Sequence, residues 1–141
     1  MADLPITIII PACNEGKRIA TTLDEYIAYF KKHYAGTWSL LVVLNDCIDN
    51  TAEIVESYAK KCRSLRYVIF DKPIGKGGAI IEGFKRAKTL LVGYVDADAS
   101  TPPQAFHDLI THLGYADGVI ASRWMPGAVI RAEQTLMRRI A

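Results

Sequence analysis

The sequence is sparing with the features that usually settle a function early. It has three cysteines, Cys13, Cys47 and Cys62, an odd number with no C-x-x-C spacing. That argues against a disulfide-stapled scaffold and for reduced thiols packed in or near a core. Long apolar runs are missing too: the longest, residues 8–10 and 40–44, fall far short of the ~20 residues that span a bilayer. The first residues, Met-Ala-Asp-Leu-Pro, carry neither a basic head nor an apolar signal core. A cytoplasmic location is expected, or one at the cytoplasmic face of a membrane. Charge of one sign is not in excess, since 17 basic and 15 acidic residues leave a net +2. Such a balance gives no electrostatic reason to expect nucleic acid as a partner.

Nucleophile chemistry lacks its usual signs. No serine sits in a nucleophile-elbow context, and no Cys–His pairing is visible. His107 and His112 are five residues apart, not the three or four that share a helix face, so they do not form a metal pair. With His33, they are expected as solvated surface histidines. No internal repeat, linker or low-complexity stretch interrupts the chain.

What is present is an ordinary globular composition, 50% hydrophobic and 23% charged over 141 residues. That length suits one domain, able to bury roughly two-thirds of its unfolded surface. The apolar, β-branched run at residues 6–11 predicts a strand buried on both faces. Strands are also expected at 38–44, 67–70, 91–95 and, short, at 119–121. Between them, apolar residues recur at helical spacing: Ile19, Leu23, Tyr26, Ile27 and Phe30, then Ile54, Val55, Tyr58, Ala59 and Cys62. A further helix is expected to carry Ile80, Ile81, Phe84 and Ala87, and Ala105, Phe106, Leu109, Ile110 and Leu113 give a last helix its buried face. Asn50 with Glu53, and Thr101 with Gln104, have capping-box spacing. Strand and helix alternate at least four times, which predicts an α/β domain with a mostly parallel sheet and helices on both faces.

Ligands of such sheets bind beyond the carboxyl ends of the strands. Here that selects residues 11–15, 45–50, 73–78 and 96–100, and the unusual residues of the chain fall in those segments. Asp96-Ala97-Asp98 follows a strand, so both carboxylates face the same side. Such a pair is either a hard-metal site shared with substrate phosphates or a solvated acidic turn before a helix. Gly75-Lys76-Gly77-Gly78 opens a helix, where backbone N–H groups favour an anion, yet it fits neither the Walker nor the dinucleotide pattern. It is either an anion site with Lys76 as its cation or a plain turn. Asn14 and Glu15 either meet a ligand or cap the next helix. A dinucleotide-dependent oxidoreductase is disfavoured, because the first strand-to-helix turn lacks the glycines that admit pyrophosphate.

Taken together, the segments resemble the family 2 glycosyltransferases, in particular the branch with dolichyl-phosphate mannose and glucose synthases. Ile8-Ile9-Ile10-Pro11-Ala12-Cys13-Asn14-Glu15 is similar to the family's I-I-P-A-Y-N-E, with Cys13 for the usual tyrosine. Residues 42–51, Val-Val-Leu-Asn-Asp-Cys-Ile-Asp-Asn-Thr, resemble V-V-D-D-G-S-T-D-G-T. Gly75-Lys76-Gly77-Gly78-Ala79 with Gly83 and Ala87 resembles the G-K-G-x-A helix start, Asp96-Ala97-Asp98 the D-x-D metal motif, and Ala121-Ser122-Arg123-Trp124 the G-S-R-Y segment. The resemblance runs from Ile6 to about Gly127.

It implies a GT-A fold, Rossmann-like, with residues 1–127 as the nucleotide-sugar-binding domain and 128–141 as the start of an acceptor-side helix cut short. It implies an inverting hexosyltransferase that takes a UDP- or GDP-sugar with Mg2+ or Mn2+ and delivers the sugar to a lipid (dolichyl or polyprenyl) phosphate. The alternative is a nucleotide-sugar-binding fragment or degenerate relative without turnover. Carried over, Pro11, Ala12, Cys13, Asn14 and Glu15 line the nucleoside pocket, Asn45 meets the base, and Asp46 lies beside it. Asp96 approaches ribose or metal with Ala97 alongside, Asp98 holds the metal, and Lys76 and Arg123 lie near the diphosphate. Leu44 and Asn45 stand where the family usually has an aspartate pair, which leaves the base, uracil or guanine, open.

Overall fold

The computed structural model describes residues 4–122 and 124–128. The elements follow in the order β1 (Ile6–Ala12), α1 (Ile19–His33), β2 (Trp38–Asn45), α2 (Thr51–Lys61), β3 (Leu65–Phe70), α3 (Gly75–Arg86), β4 (Leu91–Tyr94) and α4 (Pro103–Thr111). All four strands are parallel, in the order β3-β2-β1-β4. β1 lies between β2 and β4, with Ile6 opposite Trp38 on one side and opposite Leu91 on the other. A strand with neighbours on both edges and helices on both faces meets no water, which is why every residue of β1 is buried.

The period of two along the strands sorts their side chains between two cores. Ile6, Ile8, Ile10 and Ala12 join Leu40, Val42 and Leu44 beneath α1, α2 and α4, with Leu23, Tyr26, Phe30, Val55, Phe106 and Ile110 above them. Ile9, Leu41 and Val43 face the other way, against Ala79 of α3. Helices thus cover both faces, and the chain is the expected α/β domain.

Three local expectations differ from what forms. Residues 119–121 make no strand: Ile120 and Ala121 are exposed, and no ladder bonds hold the segment. Three residues after Gly118 are too few to stay extended without a paired neighbour. The capping boxes are absent as well, since neither α2 nor α4 has a side-chain cap bond from its N-cap residue. The Thr51 N–H is instead accepted by Asp49 Oδ1 at 3.0 Å, and Pro102, not Thr101, is the N-cap of α4. Finally, His107 is not a solvated surface histidine. It is half-buried, with Nδ1 3.2 Å from the Tyr29 hydroxyl and its ring against Tyr29 and Tyr34.

Candidate functional site

The chain runs β1, β2, β3 outward on one side and then returns to place β4 on the other side of β1. The carboxyl ends of β1 and β4 therefore lie side by side, and the crevice above them is at the carboxyl edge, where open α/β sheets bind ligands. Val95 prolongs the ladder by donating to the Ile9 carbonyl at 3.0 Å. The next residues, Asp96, Ala97 and Asp98, stand at the mouth of that crevice. It is an open groove of about 2430 Å³, larger than a closed small-molecule pocket.

Ala97 is buried, while Asp96 and Asp98 on either side are half-exposed, so both carboxylates turn towards the groove. α1 fixes this turn. The buried Thr22 hydroxyl donates to the Ala97 carbonyl at 2.8 Å, and the Tyr26 hydroxyl donates to the Thr101 carbonyl at 2.9 Å. Burial raises the pKa of Tyr26, which keeps its hydroxyl a donor. Desolvation pushes the Asp98 carboxyl up as well. Hydrogen bonds from Ser100, including its N–H at 3.0 Å, and the charge of Arg18 more than offset this and hold Asp98 below its ordinary value. Asp98 is thus an anion at neutral pH. Asp96 accepts an ion pair from Lys76, Nζ to Oδ1 at 2.5 Å.

Across the groove lie Pro11, Ala12, Cys13 and Glu15 from the end of β1, and Asn45 and Asp46 from the end of β2. Cys13 is exposed there, and Cys47 and Cys62 are half-buried against the core. Asn14 does not line the groove. It takes a positive φ of 52°, and its Oδ1 accepts the N–H groups of Ile48 (2.8 Å) and Asp49 (3.3 Å). Glu15 neither caps α1 by its side chain nor stands alone, for its Oε2 accepts from Arg18 Nε at 2.8 Å. Arg123 lies outside the described residues, as do residues 129–141 of the segment 128–141 expected to begin the acceptor-side helix.

Reasoning from sequence overlooked three residues. Arg18 lines the groove near Asp98 and is a second cation there beside Lys76. The only sign in the sequence was its place three residues after Glu15, where side chains of one helical turn meet. Asp49 and Thr51 tie the first two carboxyl-end loops together. Asp49 accepts the Gly16 N–H at 3.0 Å and the Thr51 hydroxyl, while that hydroxyl oxygen accepts the Glu15 N–H at 2.9 Å. The Thr51 hydroxyl bond is the main reason the Asp49 carboxyl sits below its ordinary value.

A carboxyl whose folded pKa is depressed stabilises the fold fully above its unfolded value, about 4, and loses that contribution as pH falls through the folded value. Melting temperature is therefore expected to hold near neutrality and to drop in the acid limb. Asp49→Asn should start lower and show a shallower acid limb; parallel limbs in the two proteins would exclude Asp49 as a contributor.

A divalent ion fits this donor set in part. Hard cations take carboxylate oxygens, and Asp96 and Asp98 offer them on one side of one groove. No cluster of three His, Cys, Asp or Glu completes a metal cage among the described residues. Two carboxylates with an open remainder suit an ion that shares its coordination with phosphate oxygens and water. No helix among the described residues is long and apolar enough to cross a membrane.

The chain has relatives among known proteins. The family described as Glycosyl transferase family 2 matches residues 7–138. A dolichyl-phosphate beta-glucosyltransferase of Trichomonas vaginalis is 34% identical over 98% of the chain and 44% of its own length. The glycosyltransferase AglD of Haloferax volcanii is 28% identical over 91% of the chain and 21% of its own length. The chain thus spans less than half of these relatives. Among solved structures, a mannosyltransferase from Pyrobaculum calidifontis in complex with GDP-Man and Mn2+ superposes with a TM-score of 0.68 at 24% identity, over 79% of this chain and 33% of that one. S. aureus TarS in complex with UDP-GlcNAc superposes at 0.59 and 23% identity, over 78% and 31%. Identities this low speak to the fold alone, and the fold they share is GT-A.

Proposed function

The chain belongs to glycosyl transferase family 2, and from that premise we propose that it binds a nucleotide-diphosphate sugar with Mg2+ or Mn2+ and serves in transfer of the sugar, with inversion, to a lipid phosphate. The supporting observation is the meeting of Asp96, Asp98, Lys76 and Arg18 in the crevice above the carboxyl ends of β1 and β4. Two anions for a metal and two cations for phosphates, on one groove, match the needs of a metal-bound diphosphate.

The chemistry follows from charge. Cleaving a sugar–phosphate bond leaves negative charge on the departing nucleoside diphosphate, and fixed positive groups stabilise that charge as it grows. A bound divalent ion would supply Lewis-acid neutralisation at the diphosphate. Asp96 and Asp98 would hold it there. Lys76, at the start of α3, stands where it can exchange Asp96 for a phosphate oxygen. Arg18 stands near Asp98 for the same purpose, and Arg123 is proposed for the diphosphate as well. Pro11, Ala12, Cys13 and Glu15 form the wall for the nucleoside, with Asp46 at its far end. A lipid phosphate acceptor is already an anion and needs little help from a general base. The names of the similar dolichyl-phosphate enzymes favour that acceptor class.

Calorimetric titration with UDP and GDP, with and without MnCl2, tests the binding half. Manganese-dependent binding of one of them is expected, and absence of such binding for both would overturn the proposal. Transfer of sugar from the matching nucleotide sugar to a polyprenyl phosphate tests the second half. Lys76→Met is expected to weaken the diphosphate about tenfold, the scale of a lost charge-assisted hydrogen bond, while leaving the bare nucleoside unaffected. Equal losses for both ligands would remove Lys76 from the phosphate site.

A further inference from the structure

Asn45 ends β2 at the rim of the groove and is 5% exposed. Its side chain is the most fully hydrogen-bonded in the neighbourhood. Nδ2 donates to the carbonyls of Lys72 (2.8 Å) and Phe70 (3.4 Å), and Oδ1 accepts the N–H groups of Ile74 and Gly75, each at 3.1 Å. A primary amide has two N–H donors and two acceptor lone pairs. All four sites are filled, and all four partners belong to the backbone of one turn, from the last residue of β3 to the first of α3.

That turn needs a brace from outside. Gly75 has a φ of +70°, and Ile74, the N-cap of α3, makes no side-chain cap bond of its own. The N–H groups at the start of a helix have no partner within it, and here two of them are met by a side chain from the adjacent strand. The residue after Gly75 is Lys76, whose ammonium reaches Asp96 across the groove. A path of direct contacts therefore runs from Asn45 through the turn to the groove's cation.

We propose that Asn45 is a positioning residue: its amide clamps the β3–α3 turn and so aims Lys76 at the diphosphate, and it does not contact the nucleobase. Its effect on nucleotide binding rests on the reading under Proposed function; the clamp itself does not. The chemistry demands an amide. An aspartate could still accept from Ile74 and Gly75, but it has no proton for the carbonyls of Phe70 and Lys72 and would set a negative charge against both.

Asn45→Ala and Asn45→Asp separate the possibilities. In the ligand-free protein, amide hydrogen exchange at Ile74 and Gly75 is expected to be slow in the wild type, much faster in Asn45→Ala, and intermediate in Asn45→Asp, which keeps the acceptor for both amides but loses the two donated bonds. With MnCl2 present, affinity for UDP or GDP should fall about tenfold in Asn45→Ala while uridine or guanosine binding, read by ligand-observed NMR, stays level. On a Lys76→Met background the same change should cause no further loss, because the two residues act as one unit. Equal weakening of nucleoside and diphosphate would mean that Asn45 meets the base, and losses additive with Lys76→Met would break the link to the cation; either overturns the proposal. Unprotected Ile74 and Gly75 amides in the wild type would overturn the clamp even if neither variant folds. Failure of the wild type to bind UDP or GDP would count against the nucleotide reading, with the exchange data still deciding the clamp.

Discussion

Replacing Asp98 with alanine is expected to abolish the manganese-dependent part of UDP or GDP binding while leaving the melting temperature nearly unchanged. The turn that carries Asp98 is held by other groups: the buried Ala97 side chain, the Thr22 hydroxyl on the Ala97 carbonyl, and the Tyr26 hydroxyl on the Thr101 carbonyl. Removing the carboxylate gives up only local hydrogen bonds from Ser100, its N–H among them, and the attraction of Arg18, at a half-exposed position. The fold loses little, but the site loses the one of its two carboxylates that no ion pair among the described residues engages, since Asp96 is matched by Lys76. Groups that only support a metal ligand already cost about 10–100-fold when mutated, so loss of a ligand should reach at least ~100-fold. Asp98→Asn keeps the shape and removes the charge, and it should lose nearly as much. Titration of each variant against MnCl2 at fixed nucleotide reads this directly. Unchanged affinity in Asp98→Ala would move the metal elsewhere.

What could be read from the sequence, and what could not, divides by distance along the chain. The run at residues 6–11 announced a strand because a central parallel strand has no wet side, and β1 is buried throughout. The buried faces of α1 and α2 were legible for the same local reason. α3, by contrast, packs on the sheet through Ala79 and Gly83 and leaves Ile81 and Phe84 exposed, and Ala105 of α4 is exposed as well. Knowing only that strands alternate with helices, one could place Asp96, Asp98, Lys76 and the residues after β1 together, because the carboxyl-edge rule converts sequence order into position. It did not give the strand order that puts β4 beside β1 and so sets Asp96 and Asp98 next to the residues that follow β1.

The tertiary bonds were out of reach. Asn14 meets Ile48 and Asp49, Glu15 meets Thr51, and Asn45 meets a turn some 25 to 30 residues later. Asn14 and Glu15 were compatible with a local cap or a ligand contact, and Asn45 was expected at the base. The structure spends these polar groups on joining loops to one another, because the four carboxyl-end loops crowd around one groove and their backbone N–H groups must be satisfied there. His107 was misread for a similar reason. Its helix looked amphipathic, but the aromatic cluster of Tyr29, Phe30 and Tyr34 reaches it from α1.

A valine at Gly83 is expected to be the most damaging single change on the α3 side of the sheet. α3 lies across β1 and β2 with Ala79 and Gly83, one turn apart, facing the strands. A Cβ at Gly83 would come 2.6 Å from Ile9 Cγ2 and 2.9 Å from its Cδ1. Ile9 cannot yield. It is fully buried in the central strand, packed with Leu41 and Val43, and a β-branched side chain has little rotamer freedom. The helix must lift instead, at a cost of about 2–3 kcal/mol, the upper part of the range for overpacked cores. For a domain of this size that is a fall in melting temperature of roughly 6–12 °C. Gly83→Ala should fall between, since a smaller clash is partly offset by about 1 kcal/mol of helix propensity. Gly77→Ala supplies the opposite sign: nothing lies within 4 Å of its Cβ, so propensity acts alone and the protein should melt slightly higher. The lift also reaches the site, because the amino end of the same helix carries Lys76. Gly83→Val should therefore weaken manganese-dependent diphosphate binding at temperatures where it is still folded. If it melts within a degree of the wild type, α3 does not sit on the sheet as closely as the Ile9 contact requires.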